Sequence, residues 1–278
     1  MRKKKTVLSQ KRIWEIDALR GLLMLCVLAT HLYYTIDAFC VDGYYNIDSY
    51  AYVNASDPLH FWFDWGTDGK IYRAFLPDIV RETWVKMGVD TFFIISGISY
   101  HFSRNNLYGG FRLLLGAAFI SAFTKLVSIY SGEATQFIRF GVLHCYALCH
   151  LICYFLLENR SNKFLLFVAG ISLALGYYLR TNPIYIDLPF LVPFGIRENG
   201  VYMRDYWPVF PMLGWFLIGI VLGRKFYSEK ITRFPKLAEK RWHKPLQFMG
   251  RYSGLIYCGH MVVYTLVFCG IGYIFALF

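Results

Sequence analysis

Long apolar runs, each ended by a short polar break, recur along the whole chain. A run of about 18 or more apolar residues is long enough to cross hydrocarbon as a helix. Such a helix satisfies its own backbone hydrogen bonds, which lipid cannot do. The runs fall at about 18–38, 84–102, 113–130, 137–157, 164–180, 207–224 and 252–277. They predict an all-α fold, a polytopic transmembrane helical bundle of about seven spans. Residues 1–278 are expected to form a single integral-membrane domain with one long outer loop at about 39–83. The opening Met1-Arg2-Lys3-Lys4-Lys5 resembles the start of a signal peptide. The apolar stretch begins only near Ala18 and has no small-residue cleavage site, so an uncleaved first span is expected.

The polar breaks give the orientation. With the N-terminus inside, the inner segments are 1–20, 103–112, 158–163 and 224–251, and they hold 20 of the 29 Lys and Arg residues. The same segments hold only five acids: Glu15, Asp17, Glu158, Glu229 and Glu239. Segment 39–83 carries seven acids against three bases. Basic inner loops predict a cytoplasmic N-terminus, and the expected location is the plasma membrane of a bacterium. The long outer loop is rich in Tyr, Trp and Asp, which suits either sugar stacking or an aromatic belt at the headgroups. Pro183, Pro189 and Pro193 make segment 181–206 extended or re-entrant. The basic segment 224–251 is expected to lie on anionic lipid.

Composition narrows the function classes. Of 278 residues, 56% are hydrophobic and only 17% charged, below the quarter usual for soluble domains. The net charge of +11 gathers at the ends of apolar runs, so it sets topology and does not point to nucleic acid. Cys145, Cys149 and Cys153 recur every four residues and share a helix face. No CxxC occurs, and the cysteines read as packing residues, with neither a disulfide framework nor a metal expected.

The first span carries the sharpest chemistry. Arg20 and His31 are eleven residues apart, close to three helical turns, so they share a face ~16 Å apart along the axis. Asp17, one turn below Arg20, and Thr35, one turn above His31, fall on that face too. Ionisable groups inside a span are costly and mark functional sites by default. A plain structural reading stands beside this: Asp17 and Arg20 as an interfacial ion pair, with His31 bonded to a neighbouring helix.

The stretch "EIDALRGLLMLCVLATH" resembles the opening of two related groups. These are the heparan-α-glucosaminide N-acetyltransferase-type catalytic family and the integral-membrane O-acyltransferases of surface polysaccharides. "GVDTFFIISGISY" (88–100), "FGVLH" (140–144), "DYWPVFPMLGWFLIGIVLGR" (205–224) and "GRYSGLIYCGH" (250–260) are similar to further segments of this superfamily, in family order. With seven spans the chain looks like a compact member.

The resemblance implies acyl transfer, here of an acetyl group, from acetyl-CoA or another acyl-CoA to a sugar of an extracytoplasmic or lipid-linked glycan. The two groups nominate different bases. The O-acyltransferase spacing points to His31, with Arg20, and the glucosaminide branch points to a loop histidine, here His60. His144 and His260 fall in matched segments and join the candidates. Asp90 and Ser96 on the second span are candidates for orienting the base or donating to the thioester oxygen. The phosphates of acyl-CoA need cations at the inner face, for which Arg104, Arg112, Arg224 and Arg251 are candidates, with Arg20 and Lys225. His243 is expected to be solvated.

Two other classes fit the intramembrane residues. A proton-coupled small-solute transporter suits His and Asp in spans, although no internal repeat is visible. A haem or quinone protein suits histidines on different spans, although no spacing enforces it.

Overall fold

The computed structural model describes residues 13–40, 78–131, 137–199 and 205–276. Among them no β-strand occurs, and the one isolated bridge joins Tyr185 to Arg197. The helices are α1 (Trp14–Cys40), α2 (Asp78–Phe102), α3 (Asn106–Ser131), α4 (Val142–Ile152), α5 (Asn162–Thr181), α6 (Val209–Phe226), α7 (Pro235–Ala238), α8 (Lys244–Arg251) and α9 (Ser253–Ala276). A π-helical turn, Cys153–Leu157, extends α4, and a 3-10 segment, Pro189–Phe194, lies between α5 and α6. A helix therefore stands at each of the seven apolar runs. Among the described residues three helical stretches, Asn106–Ile129, Asn162–Thr181 and Val209–Phe226, are long and apolar enough to cross a membrane, and Val142–Leu157 and Ser253–Phe268 are shorter apolar helices.

Local chemistry explains the helix starts. The Asn105 side chain accepts from Tyr108 N at 3.0 Å where α3 begins. Ser161 Oγ accepts from Phe164 N at 3.3 Å and caps α5. Gly141 N donates to His144 Nδ1 at 3.2 Å and opens α4. Each bond satisfies a donor that a helix N-terminus would otherwise leave exposed.

Packing makes α6 the central post, with 50% of its span buried against 11% for α3. Phe216, Leu217 and Val209 of α6 are fully buried with Phe93 of α2, Cys145 and Cys149 of α4, Cys153 of the π-helical turn, and Leu165 of α5. The three cysteines thus pack as small apolar groups, as their spacing suggests. The contacts α1–α2, α2–α6, α6–α4, α4–α3, α3–α9 and α9–α1 close a ring, and α5 stands outside it against α6. Outward faces are apolar: Leu115, Leu126, Ile129, Phe155 and Phe167 are more than 60% exposed. A surface of this kind suits hydrocarbon and would be unusual in water.

The segment between α7 and α8 departs from expectation. His243 is 2% exposed, not solvated. Its ring stacks on Trp14 with centroids 4.3 Å apart and bonds to Leu237 O at 3.0 Å and to the Gln247 side chain. The basic segment folds back onto the start of α1, and that return covers the imidazole. Within segment 181–206, Pro189–Phe194 form the 3-10 turn, held by Tyr206 Oη donating to Val192 O at 2.8 Å.

Candidate functional site

Inside the helix ring lies a cavity of about 930 Å³, lined by α1, α2, α3, α4, the end of α8, α9 and the segment before α6. That volume is at the upper end for small-ligand sites. Arg20 and His31 both face it. The helical period of α1 puts them on one side, and the ring closes around that side.

At the Arg20 end, Arg112, Arg251, Ser99, Ser103 and Ser253 share the lining. Arg20 donates to Ser99 Oγ, which in turn donates to Ile95 O at 2.8 Å. Arg20 Nη1 reaches Gly250 O at 3.5 Å and Asp17 Oδ1 at 3.6 Å, and Arg251 Nε lies 3.5 Å from Asp17 Oδ2. The buried Asp17 carboxylate therefore holds two guanidinium groups beside the mouth without lining the cavity itself. A guanidinium pair fixed in this way presents donors in a geometry suited to phosphate.

The middle of the cavity is walled by Met24, Val27, Phe92 and Leu113, with Tyr146 and His150 of α4 among them. The Tyr146 hydroxyl and His150 Nδ1 are buried and have no hydrogen-bond partner among the described residues. Buried polar atoms without partners are uncommon and are expected to meet a ligand or water. At the other end stand His31, Asp205, Trp207 and Tyr257. Asp205 accepts from Val142 N at 3.1 Å, and the Trp207 and Tyr257 side chains stand beside it. Burial pushes its carboxyl up to about 6, the Val142 hydrogen bond and the neighbouring Trp207 and Tyr257 donors pulling the other way. His31 Nδ1 meets His260 Nε2 at 2.5 Å.

The remaining expected residues are placed as follows. Ser96 lines the cavity and Asp90 does not; the charge acting on Asp90 is Arg180 of α5. His144 is taken up by the start of α4: its Nε2 lies 3.1 Å from Ser121 Oγ, and it does not line the cavity. Arg112 and Arg251 line the Arg20 end, whereas Arg104 is exposed and does not line the cavity, although its neighbour Ser103 does. Arg224 donates to Glu158 O, Arg160 O and Asn162 Oδ1, closing the end of α4 onto the start of α5, and does not face the cavity. The expected outer loop 39–83 is helical at both ends, where α1 runs to Cys40 and α2 starts at Asp78; His60 and the rest of it, 41–77, lie outside the described residues, as does the side chain of Thr35. Asp205, Tyr146, His150, Trp207 and Tyr257 were not singled out from sequence. Asp205 and Trp207 open the segment 205–224 that resembles the family, and Tyr257 stands one turn before His260 in the segment 250–260.

The family model described as heparan-α-glucosaminide N-acetyltransferase, catalytic, matches residues 58–262. The chain belongs to that family. Membership in this heparan-α-glucosaminide N-acetyltransferase family makes the protein an acetyltransferase-type membrane enzyme, in keeping with its apolar helices. No curated protein and no solved structure matches the chain. Among the described residues no group of three or more His, Cys, Asp or Glu stands ready to hold a metal ion. The matched stretch takes in His60, Asp90, Ser96, His144 and His260, while Arg20 and His31 precede it on α1.

Proposed function

We propose that the protein transfers an acyl group, acetyl in the first instance, from acyl-CoA to a sugar of an extracytoplasmic or lipid-linked glycan. The observation that carries this reading is the shared cavity: an arginine-lined mouth and an imidazole three helical turns away open into one space. In this reading the seven helices span the bilayer with the N-terminus inside, the single domain takes up the whole chain, and the Arg20 end faces the cytoplasm.

Each part of the cavity then has a chemical task. Arg112 and Arg251, with Arg20, hold the phosphates of the nucleotide. The apolar middle takes the pantetheine arm, whose amides supply partners for Tyr146 Oη and His150 Nδ1. The thioester carbon comes to rest beside His31. An imidazole suits the proton transfer because its ordinary pKa lies near neutral pH. Ser96, one turn from Ser99, meets the arm between the two ends, and Asp205 and Trp207 at the far end receive the acceptor. A carboxylate beside an indole suits a sugar, one accepting from its hydroxyl or amino groups and the other covering its apolar face.

The test uses the purified full-length chain in nanodiscs. Acetyl-CoA should raise the melting temperature of the wild type, and radiolabelled acetyl should pass to a glycan acceptor. His31→Ala should keep the acetyl-CoA shift and lose transfer by roughly 100-fold or more. Transfer undiminished in His31→Ala but abolished in His60→Ala would move the base into the loop.

A further inference from the structure

His31 and His260 are 229 residues apart in sequence and meet nitrogen to nitrogen. Their ring planes are 6° apart, with centroids separated by 4.8 Å. Parallel rings whose nearest nitrogens are 2.5 Å apart cannot lie face on face. They meet edge to edge and share one proton in plane.

The other nitrogen of His260 settles where that proton resides. His260 Nδ1 lies 2.7 Å from the carbonyl oxygen of Tyr257. A carbonyl only accepts, so His260 Nδ1 bears a hydrogen. In a neutral imidazole the second nitrogen is then an acceptor, and His260 Nε2 takes its hydrogen bond from His31 Nδ1. His31 in turn carries its lone pair on Nε2. The assignment follows from one backbone carbonyl, because the bond made by one ring nitrogen decides the state of the other.

We infer that His260 is a positioning residue: it fixes the tautomer of His31, so that Nε2 of His31 is the nitrogen that acts on the substrate. The inference rests on the acyl-transfer reading above. The burial pattern fits this division of roles. His31 faces the cavity, whereas His260 is 6% exposed, does not line it and sits behind His31. The rings of Tyr257 and Tyr264 flank His260 at 5.5 and 5.7 Å. Tyr264 Oη also donates to Leu28 O at 3.1 Å, tying α9 to α1 one turn below His31. The family match covers the positioning residue on α9, and the helix before the match supplies the acting one.

The step balances on that lone pair. The acceptor's oxygen or nitrogen bonds to the acyl carbon while its proton passes to His31 Nε2. The thioester C–S bond breaks, and the departing sulfur takes the proton from Nε2, which releases the thiol and restores His31. If the acyl group travels on His31, Nε2 bonds to the acyl carbon as the C–S bond breaks and the sulfur leaves as thiolate; the acceptor then bonds to that carbon as the N–C bond breaks, and its proton passes to the thiolate. In either case Nδ1–H stays on His260, which spreads the positive charge that His31 carries meanwhile. A buried partner that orients a base in this way is the logic of the serine-protease triad, where the wrong tautomer costs about 10⁴ in kcat.

Three variants test the assignment. His260→Ala and His260→Phe both remove the acceptor, and the second keeps the packing. Each should lower kcat by roughly 100-fold or more, with KM for acetyl-CoA changed by less than about threefold. His260→Gln places an amide oxygen where Nε2 was and should stay within about tenfold of the wild type. Nitrogen-15 spectra of histidine-labelled protein in nanodiscs, assigned with His31→Ala, should show His31 protonated at Nδ1 in the wild type and moving towards Nε2–H in His260→Phe. A wild-type His31 that is Nε2–H or doubly protonated would overturn the inference, as would wild-type kcat in His260→Ala and His260→Phe, or a Gln variant no better than Phe. A wild type with no acyl transfer would instead sink the functional reading, and the spectra would still report the tautomer.

Discussion

Asp205 shows what one buried side chain adds at the residue scale. Its carboxylate closes the start of α4 and faces the cavity, and burial holds its proton up to about 6 against an ordinary value of 3.8. An acid with a raised folded-state pKa binds more protons folded than unfolded between those values. The stability it contributes is fully present below about 3.8 and is lost as pH rises through about 6. Asp205→Asn keeps an acceptor for Val142 N and has no proton to lose. Melting curves should therefore show the wild type losing ground to Asp205→Asn as pH rises from 4 to 7, with the difference level above that range. A difference that does not change with pH would mean that the carboxyl is charged throughout.

Helix contacts set the arrangement of the arginine end of the cavity. α1 and α8 cross with glycine on both sides: a Cβ added at Gly21 would collide with the Leu246 carbonyl, and one at Gly250 with the Asp17 carbonyl. This approach lets Arg20 reach Gly250 O and brings Arg251 to Asp17. Gly250→Ala must push two backbones apart, so it should cost about 1–3 kcal/mol and weaken acetyl-CoA binding through the displaced guanidinium groups. Gly170 on α5 has nothing within 4 Å of an added Cβ. Gly170→Ala should be neutral or gain up to about 1 kcal/mol from helix propensity. Thermal unfolding and acetyl-CoA titration of the two variants would show whether the α1–α8 contact matters; equal melting temperatures would remove it from the account.

At the scale of the whole molecule, the cavity separates a charged end from an imidazole end, and its two ends should respond to different parts of the donor. Arg112→Ala and Arg251→Ala should raise KM for acetyl-CoA by about tenfold each, and the wild-type KM should rise with salt more steeply than theirs. An acetyl thioester without the nucleotide should show little effect of either substitution. Equal losses with both donors would take the phosphates away from this mouth. Much of this layout is legible in the chain itself, because it depends on properties local to a helix. Apolar runs of spanning length become helices wherever they lie, and eleven residues within one helix put Arg20 and His31 on one face whatever packs around them. The resemblance read from short segments pointed to the family that the match over residues 58–262 shows. What no run of residues encodes alone is which helix faces lean on each other. Tertiary packing brought His260 against His31, turned His144 into a helix cap, drew Arg224 away to close the end of α4, buried His243 on Trp14 and aimed Asp205 into the cavity. Each of these outcomes joins groups distant in sequence through contacts of a few ångströms. A helical period constrains the angle of a side chain about its own axis and leaves its partner across the bundle to the fit of the neighbouring helices.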